Sequence, residues 1–143
     1  MKDVLVCAAV LLVAGPGACR KESPSSSVIA QICEIDTQYC TNDVRAAESA
    51  LLQYLQKLSA QEVNHVKGID FDMAKAMTHE RLFLIYRKTG ETNKAQAQFE
   101  ESMEYLRRFS RRNGLPAPTN TPDAFAEALE RSERGMDVRW KKQ

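Results

Sequence analysis

The pattern of apolar and polar positions after residue 42 is helical. Apolar residues recur every three or four positions, which is the period of one face of an α-helix, and no convincing strand pattern accompanies them. The pattern predicts a helix at 43–60, two antiparallel helices within 70–114 that meet at a tight turn at Gly90, and a helix at 122–134. We therefore expect an all-α fold of about four helices.

The second predicted helix contains the run Leu82 to Tyr86, which is five consecutive apolar residues. Five residues exceed one helical turn, so this helix is apolar on every side. We expect such a helix to lie at the centre of the fold, with neighbours on more than one face. Asp70 has the character of its N-cap, and Gly90 suits the left-handed position beyond its end.

Residues 76–109 resemble one tetratricopeptide repeat, which is a pair of antiparallel helices in about 34 residues. The residues that stand at the usual spacing of the repeat are Leu82, Tyr86, Gly90, Ala95 and Phe99. Ser102 replaces a usual alanine, and His79 stands where the repeat favours tryptophan. Phe83 stands where the repeat favours a small residue, and Arg107 where it favours proline. The resemblance implies a helical hairpin of a kind that often accepts a peptide or helix in a groove.

The first 18 residues have the pattern of a targeting segment. Lys2 supplies a positive charge, and the apolar run Val4 to Ala14 has the length of a signal peptide but is too short to span a membrane. Small residues follow up to Ala18, and Cys19 comes directly after them. We expect residues 1–18 to be a signal peptide.

This junction resembles the lipobox of bacterial lipoproteins, in which the cysteine is lipidated and becomes the new N-terminus. Gly17 and Ala18 fit that motif, whereas Pro16 stands where an aliphatic residue is usual. The resemblance implies a lipid anchor on Cys19, with palmitate among its acyl chains. Arg20, rather than aspartate, implies the periplasmic face of the outer membrane. The alternative is an ordinary secretory signal that is cleaved at or near Ala18.

Residues 19–30 begin with a polar, serine-rich stretch, and we expect them to form a short lipidated tether. The remaining residues, 31–143, suffice for a single α-helical domain. Cys33 and Cys40 are an even pair in an oxidising compartment, which predicts a disulfide between them. A redox pair or metal ligands are the alternatives, but the spacing is neither Cys-x-x-Cys nor a zinc pattern.

Two further features offer a binding surface. Arg107, Arg108, Arg111 and Arg112 crowd the end of the third predicted helix. Their charge suits the negative pole of the helix dipole, and it equally suits anionic lipid headgroups close to a membrane anchor. Trp140 lies in a terminal tail, where it either packs back on the bundle or anchors a partner or the membrane interface.

Charge and motif content narrow the function classes. Lys and Arg total 20 against 19 Asp and Glu, and no basic face with interleaved aromatic residues is evident, which argues against nucleic-acid binding. His65 and His79 lack the further ligands or nucleophiles, at the required spacings, of a metal site or a catalytic motif. We expect no catalytic residues, no metal and no cofactor.

Together these features predict a non-catalytic envelope lipoprotein that binds another envelope protein through surfaces of its helical hairpin. The alternative is a small-ligand-binding domain or an enzyme with a pocket between the helices. A deep polar pocket around His79, Glu80 or His65 would favour that alternative. An interior filled by Tyr54, Phe83 and Phe99 would argue against it.

Overall fold

The structure, a computed structural model, describes residues 26–40 and 43–133. Its helices are α1 (Ser26–Tyr39), α2 (Val44–Val63), α3 (Phe71–Lys88), α4 (Thr92–Arg112) and α5 (Pro122–Glu133). No strand occurs in these two ranges, and the predicted all-α class is confirmed. The expected signal peptide at 1–18, the lipidation site Cys19 and Trp140 lie outside the described residues.

The helix ends follow from local capping chemistry. The Asp43 carboxylate accepts a hydrogen bond from the amide two residues on, at 2.9 Å, and the Asp70 carboxylate from the amide three residues on, at 3.1 Å. Gly90 and Gly114 follow α3 and α4 with φ of 76° and 64°. Both glycines therefore take the left-handed conformation that ends helices, as the sequence predicts for Gly90.

Helix α1 is the main departure from the predicted elements. The described residues form five helices rather than about four, because residues 26–39 are helical. The helix begins inside the stretch 19–30 that the sequence assigns to the tether. Ile35 and Tyr39 lie one turn apart on α1, and both are buried against the rest of the bundle.

The predicted disulfide between Cys33 and Cys40 is wrong for this structure, in which both thiols are free. Cys33 lies within α1, and the amide of Cys40 still donates a helical hydrogen bond to the carbonyl of Asp36 at 2.9 Å. Seven residues of helix separate the two cysteines by about 10 Å along the axis. A disulfide needs Cα atoms within about 7 Å of each other, so the helix holds the two residues too far apart.

Helix α3 occupies the centre of the described bundle, as its apolar run predicts, and it contacts α1, α2, α4 and α5. Every residue from Leu82 to Tyr86 is between 0 and 4% exposed. The turn at 89–91 folds α4 back along α3, which makes an antiparallel hairpin with the most extensive packing between any two of these helices. Helices α1, α2 and α5 pack against α3 of this hairpin, so the hairpin sets their positions in the bundle.

Candidate interaction surface

A network of polar contacts fixes the turn end of the α3–α4 hairpin to α2. The Tyr86 hydroxyl donates to Glu48 at 2.7 Å, and Arg45 pairs with Glu48 at 2.8 Å and with Glu91 at 3.3 Å. Lys94 pairs with Glu91 at 2.6 Å and lies 5.0 Å from the centre of the Tyr86 ring. The hydrogen bond from Tyr86 is the main reason why the pKa of Glu48 is lowered. Burial first, and then Glu48, raise the pKa of Tyr86 to about 12.

A second set of ion pairs fixes the opposite end of the same three helices. Arg112, at the end of α4, bonds to both oxygens of Asp70 at 2.7 and 2.8 Å and to Asp72 at 2.6 Å. Lys75 on α3 pairs with Glu62 on α2 at 2.7 Å. These groups surround a shallow cleft of about 340 Å³, which Arg112 partly lines. Arg112 faces two carboxylates and Lys75 faces one, so these ion pairs link the helices at the cleft and leave an excess of one negative charge.

The middle of the α3–α4 contact contains a polar aromatic cluster. The imidazole of His79 stacks on the ring of Tyr105 with centroids 5.6 Å apart and planes 11° apart. Nδ1 of His79 lies 2.7 Å from the side-chain oxygen of Gln98 and therefore carries a hydrogen. Burial is the first cause of a lowered pKa for His79. The ring is thus a neutral packing group between the two helices, with Lys75 at 5.5 Å on the Tyr105 ring.

Glu80 and Arg81 are charged residues on the core side of α3. Glu80 belongs to the polar pocket expected under the alternative function, whereas Arg81 was not predicted to be functional. Arg81 is buried, bonds to Asp36 of α1 at 3.1 Å and lies 4.9 Å from the centre of the Tyr39 ring. Glu80 is 5% exposed, and its Oε1 has no hydrogen-bond partner among the residues that the structure describes. Burial raises the pKa of Glu80 to about 7 although the charge of Arg81 lowers it. The available sequence clue is that both residues directly precede a run that is apolar on all sides of a helix.

The arginines at the end of α4 are all exposed, and they differ in their ion pairs. Arg107 and Arg108 pair with Glu104 at 3.9 and 3.2 Å, whereas Arg112 points to the start of α3. Arg111 is exposed and forms no ion pair with another described residue. Arg112 thus makes a structural contact with the start of α3, and the binding surface predicted for the four arginines stays a prediction.

Helix α5 sits on the hairpin through an aromatic contact. The Phe125 ring lies 5.6 Å from the Phe83 ring of α3 and 5.4 Å from the Phe99 ring of α4. Arg87 of α3 pairs with Asp123 in the first turn of α5 at 2.8 Å. The hairpin thus presents a groove that receives a helix, and α5 fills it in this structure.

A metal-ligand cluster and a membrane-spanning helix are both absent from residues 26–40 and 43–133, the part of the chain that the structure describes. No group of three or more His, Cys, Asp or Glu side chains is placed there to hold a metal ion. None of the helices α1 to α5 is both long and apolar enough to cross a membrane.

Comparisons of the chain with protein-family models, with curated proteins and with solved structures give no match.

Proposed function

We propose that the protein is a non-catalytic, lipid-anchored envelope protein whose helical domain binds another protein. The lipobox-like junction at Cys19 supports the anchor, and the resemblance of residues 76–109 to a tetratricopeptide repeat supports the binding role. The proposed location is the periplasmic face of the outer membrane of a bacterium.

The observation that carries this proposal is the filled interior of the hairpin. Tyr54, Phe83 and Phe99 are 3, 1 and 9% exposed, and they occupy the space where a pocket between the helices would lie. A small-ligand site or an active site between the helices needs an enclosed cavity with convergent polar groups. The cleft of about 340 Å³ that Arg112 lines lies at the far end of the helices instead and is open to solvent. A bundle whose interior is filled instead offers the outer surfaces and grooves of its helices, which suits the binding of a protein.

The ion pairs at both ends of α2, α3 and α4 add a second line of support. At the turn end, Arg45 of α2 pairs with Glu91 at the start of α4. At the far end, Arg112 joins α4 to the start of α3, and Lys75 joins α3 to α2. A surface on a rigid scaffold binds a partner with a smaller loss of conformational entropy than a mobile one. The ion pairs therefore support the proposed binding role because they favour a rigid hairpin.

The proposal is tested by in-cell cross-linking of the intact chain, followed by mass spectrometry of the membrane fraction. We expect one dominant envelope protein to be cross-linked to the chain, and we expect Cys19→Ser to release the chain from membranes. Cys33→Ser is the matched control, because that thiol is exposed and lies outside the proposed anchor. Tight membrane association of the Cys19→Ser chain, or no cross-linked protein, would contradict the corresponding part of the proposal.

A further inference from the structure

Helix α5 is connected to the bundle differently from α3 and α4. A segment at 113–121, which contains Pro116 and Pro118, separates it from α4, whereas α3 and α4 are joined by the turn at 89–91. Neither of the two ion-pair networks that join α2, α3 and α4 includes a residue of α5. The two networks that join α2, α3 and α4 therefore form without polar contacts from α5.

The seat of α5 is apolar in the middle and charged at one edge. Phe125 inserts against Phe83 and Phe99, which belong to different helices, and is itself 1% exposed. At the edge, Arg87 bonds to Asp123, whose side chain is 91% exposed. Arg87 also lies 5.7 Å above the Phe83 ring. One aromatic anchor and one peripheral ion pair thus define what the groove recognises.

Helix α5 itself has the composition of a removable amphipathic helix. Its buried residues are apolar, namely Phe125, Ala126, Ala128 and Leu129. Glu127 and Glu130 are exposed, and among the described residues Glu127 pairs with Arg131 of the same helix at 2.8 Å. A helix with one apolar face and one charged face remains soluble when it leaves its seat.

We propose that α5 is a displaceable occupant of the groove between α3 and α4, and that this groove binds an amphipathic helix of a partner protein. The partner helix carries an aromatic anchor with an acidic residue one half-turn before it, as Phe125 and Asp123 do in α5. This inference rests on the proposed protein-binding function and names the surface that performs it. In the free protein, α5 blocks the groove and keeps Phe83 and Phe99 covered.

The covalent connection through the segment 113–121 gives α5 a large advantage over a competing helix. A segment held by a short flexible linker is present at an effective concentration on the order of millimolar. A partner helix must therefore bind more tightly than α5 or act after α5 has opened. We expect loss of the Phe125 anchor to increase binding of a competing helix by about tenfold or more, because the intramolecular competitor is weakened.

The first experiment compares the full chain with its Phe125→Ala variant. The probe is a synthetic peptide of residues 119–133 with a photoreactive benzoylphenylalanine at position 125. We expect it to cross-link to α3 and α4 at least about tenfold more in Phe125→Ala than in the unaltered chain. Glu130→Ala, an exposed change on the same helix, is the matched control and should behave as the unaltered chain. Equal cross-linking in the variant and the unaltered chain would overturn the inference.

The second experiment needs no variant and covers the case in which Phe125→Ala fails to fold. Native-state hydrogen exchange of the unaltered chain is followed in increasing urea. A displaceable α5 opens at a lower free energy than α3 and α4, whereas an α5 that exchanges only with the global transition refutes the inference.

These tests separate the groove from the wider function. A groove that does not bind the peptide removes this inference but leaves an envelope partner captured in cells unaffected. Peptide binding without any captured partner removes the proposed function in cells and leaves the groove in place.

Discussion

The side chain of Glu80 is unusual in the described core because it is acidic and buried. It lies on the central helix at 5% exposure, and within residues 26–40 and 43–133 its Oε1 lacks a hydrogen-bond partner. An ionised carboxylate in such a place is costly, and burial accordingly raises the pKa of Glu80 from 4.5 to about 7. The native state therefore holds a proton on Glu80 over a range of pH in which the unfolded chain has lost it.

This difference predicts a pH dependence of stability with a definite sign. The contribution of protonated Glu80 is fully present below pH 4.5 and is lost as the pH rises through about 7. At one pKa unit per 1.4 kcal/mol, the loss is at most about 3 kcal/mol. We expect Glu80→Gln to remove most of this dependence and to be the more stable chain at about pH 8. Urea unfolding at about pH 5 and about pH 8 measures both effects.

Glu130→Gln is the control for this measurement, because Glu130 is exposed on α5. It should keep the slope of stability against pH that the unaltered chain shows between about pH 5 and 8. If Glu80→Gln kept that slope as well, Glu80 would not be the group that titrates on unfolding.

At the scale of single elements, the hairpin turn provides a direct test of backbone conformation. Gly90 has φ of 76°, and no atom lies within 4 Å of the position that an added Cβ would take. Gly90→Ala therefore introduces strain in the backbone but no steric clash. We expect the free energy of unfolding to fall by about 1 kcal/mol, measured by urea unfolding. A chain that lost several times this amount would indicate a contact of the turn beyond its conformation.

The turn and the central helix were predictable from sequence because their determinants are local. Glycine at a helix end, an aspartate cap and an unbroken apolar run act within a few residues of chain. Helix α1 was not predicted, although Val28, Ile32, Ile35 and Tyr39 recur at helical spacing. The pair Cys33 and Cys40 favoured a disulfide loop instead, and a single sequence does not decide between a covalent link and a helical face.

The groove that holds α5 shows the same limit for the candidate site. Each of Phe83, Phe99 and Phe125 is predictable as an inward residue from helical spacing. Their meeting depends on where the segment 113–121 returns the chain, which local patterns do not specify. Likewise, the adjacent arginines of α4 suggest one surface, and only the fold reveals that Arg112 turns toward Asp70.

The geometry of α1 makes a prediction about redox conditions. Because Cys33 lies within α1 and Cys40 directly after its end, both as free thiols, no disulfide between them stabilises α1 in this structure. We expect the thermal midpoint to be the same with and without a reducing agent, and a thiol reagent to titrate both groups in the denatured, unreduced chain. A disulfide of ordinary strength would instead stabilise the chain by about 2–4 kcal/mol, which reduction would remove.

At the scale of the whole molecule, positive and negative side chains are nearly equal in number. In the described residues many of them pair between helices rather than forming a charged face. Arg112 and Arg111 are adjacent and exposed, yet only Arg112 connects α4 to the start of α3, through Asp70 and Asp72. We expect Arg112→Ala to lower the free energy of unfolding by about 1 kcal/mol at low salt and by less at high salt, because partly exposed ion pairs are screened. Arg111→Ala is the matched control and should leave stability within about 0.5 kcal/mol. Equal losses in both variants, measured by urea unfolding, would mean that the arginines act through the general charge of the helix end, and the far end of the hairpin would then need another source of its rigidity.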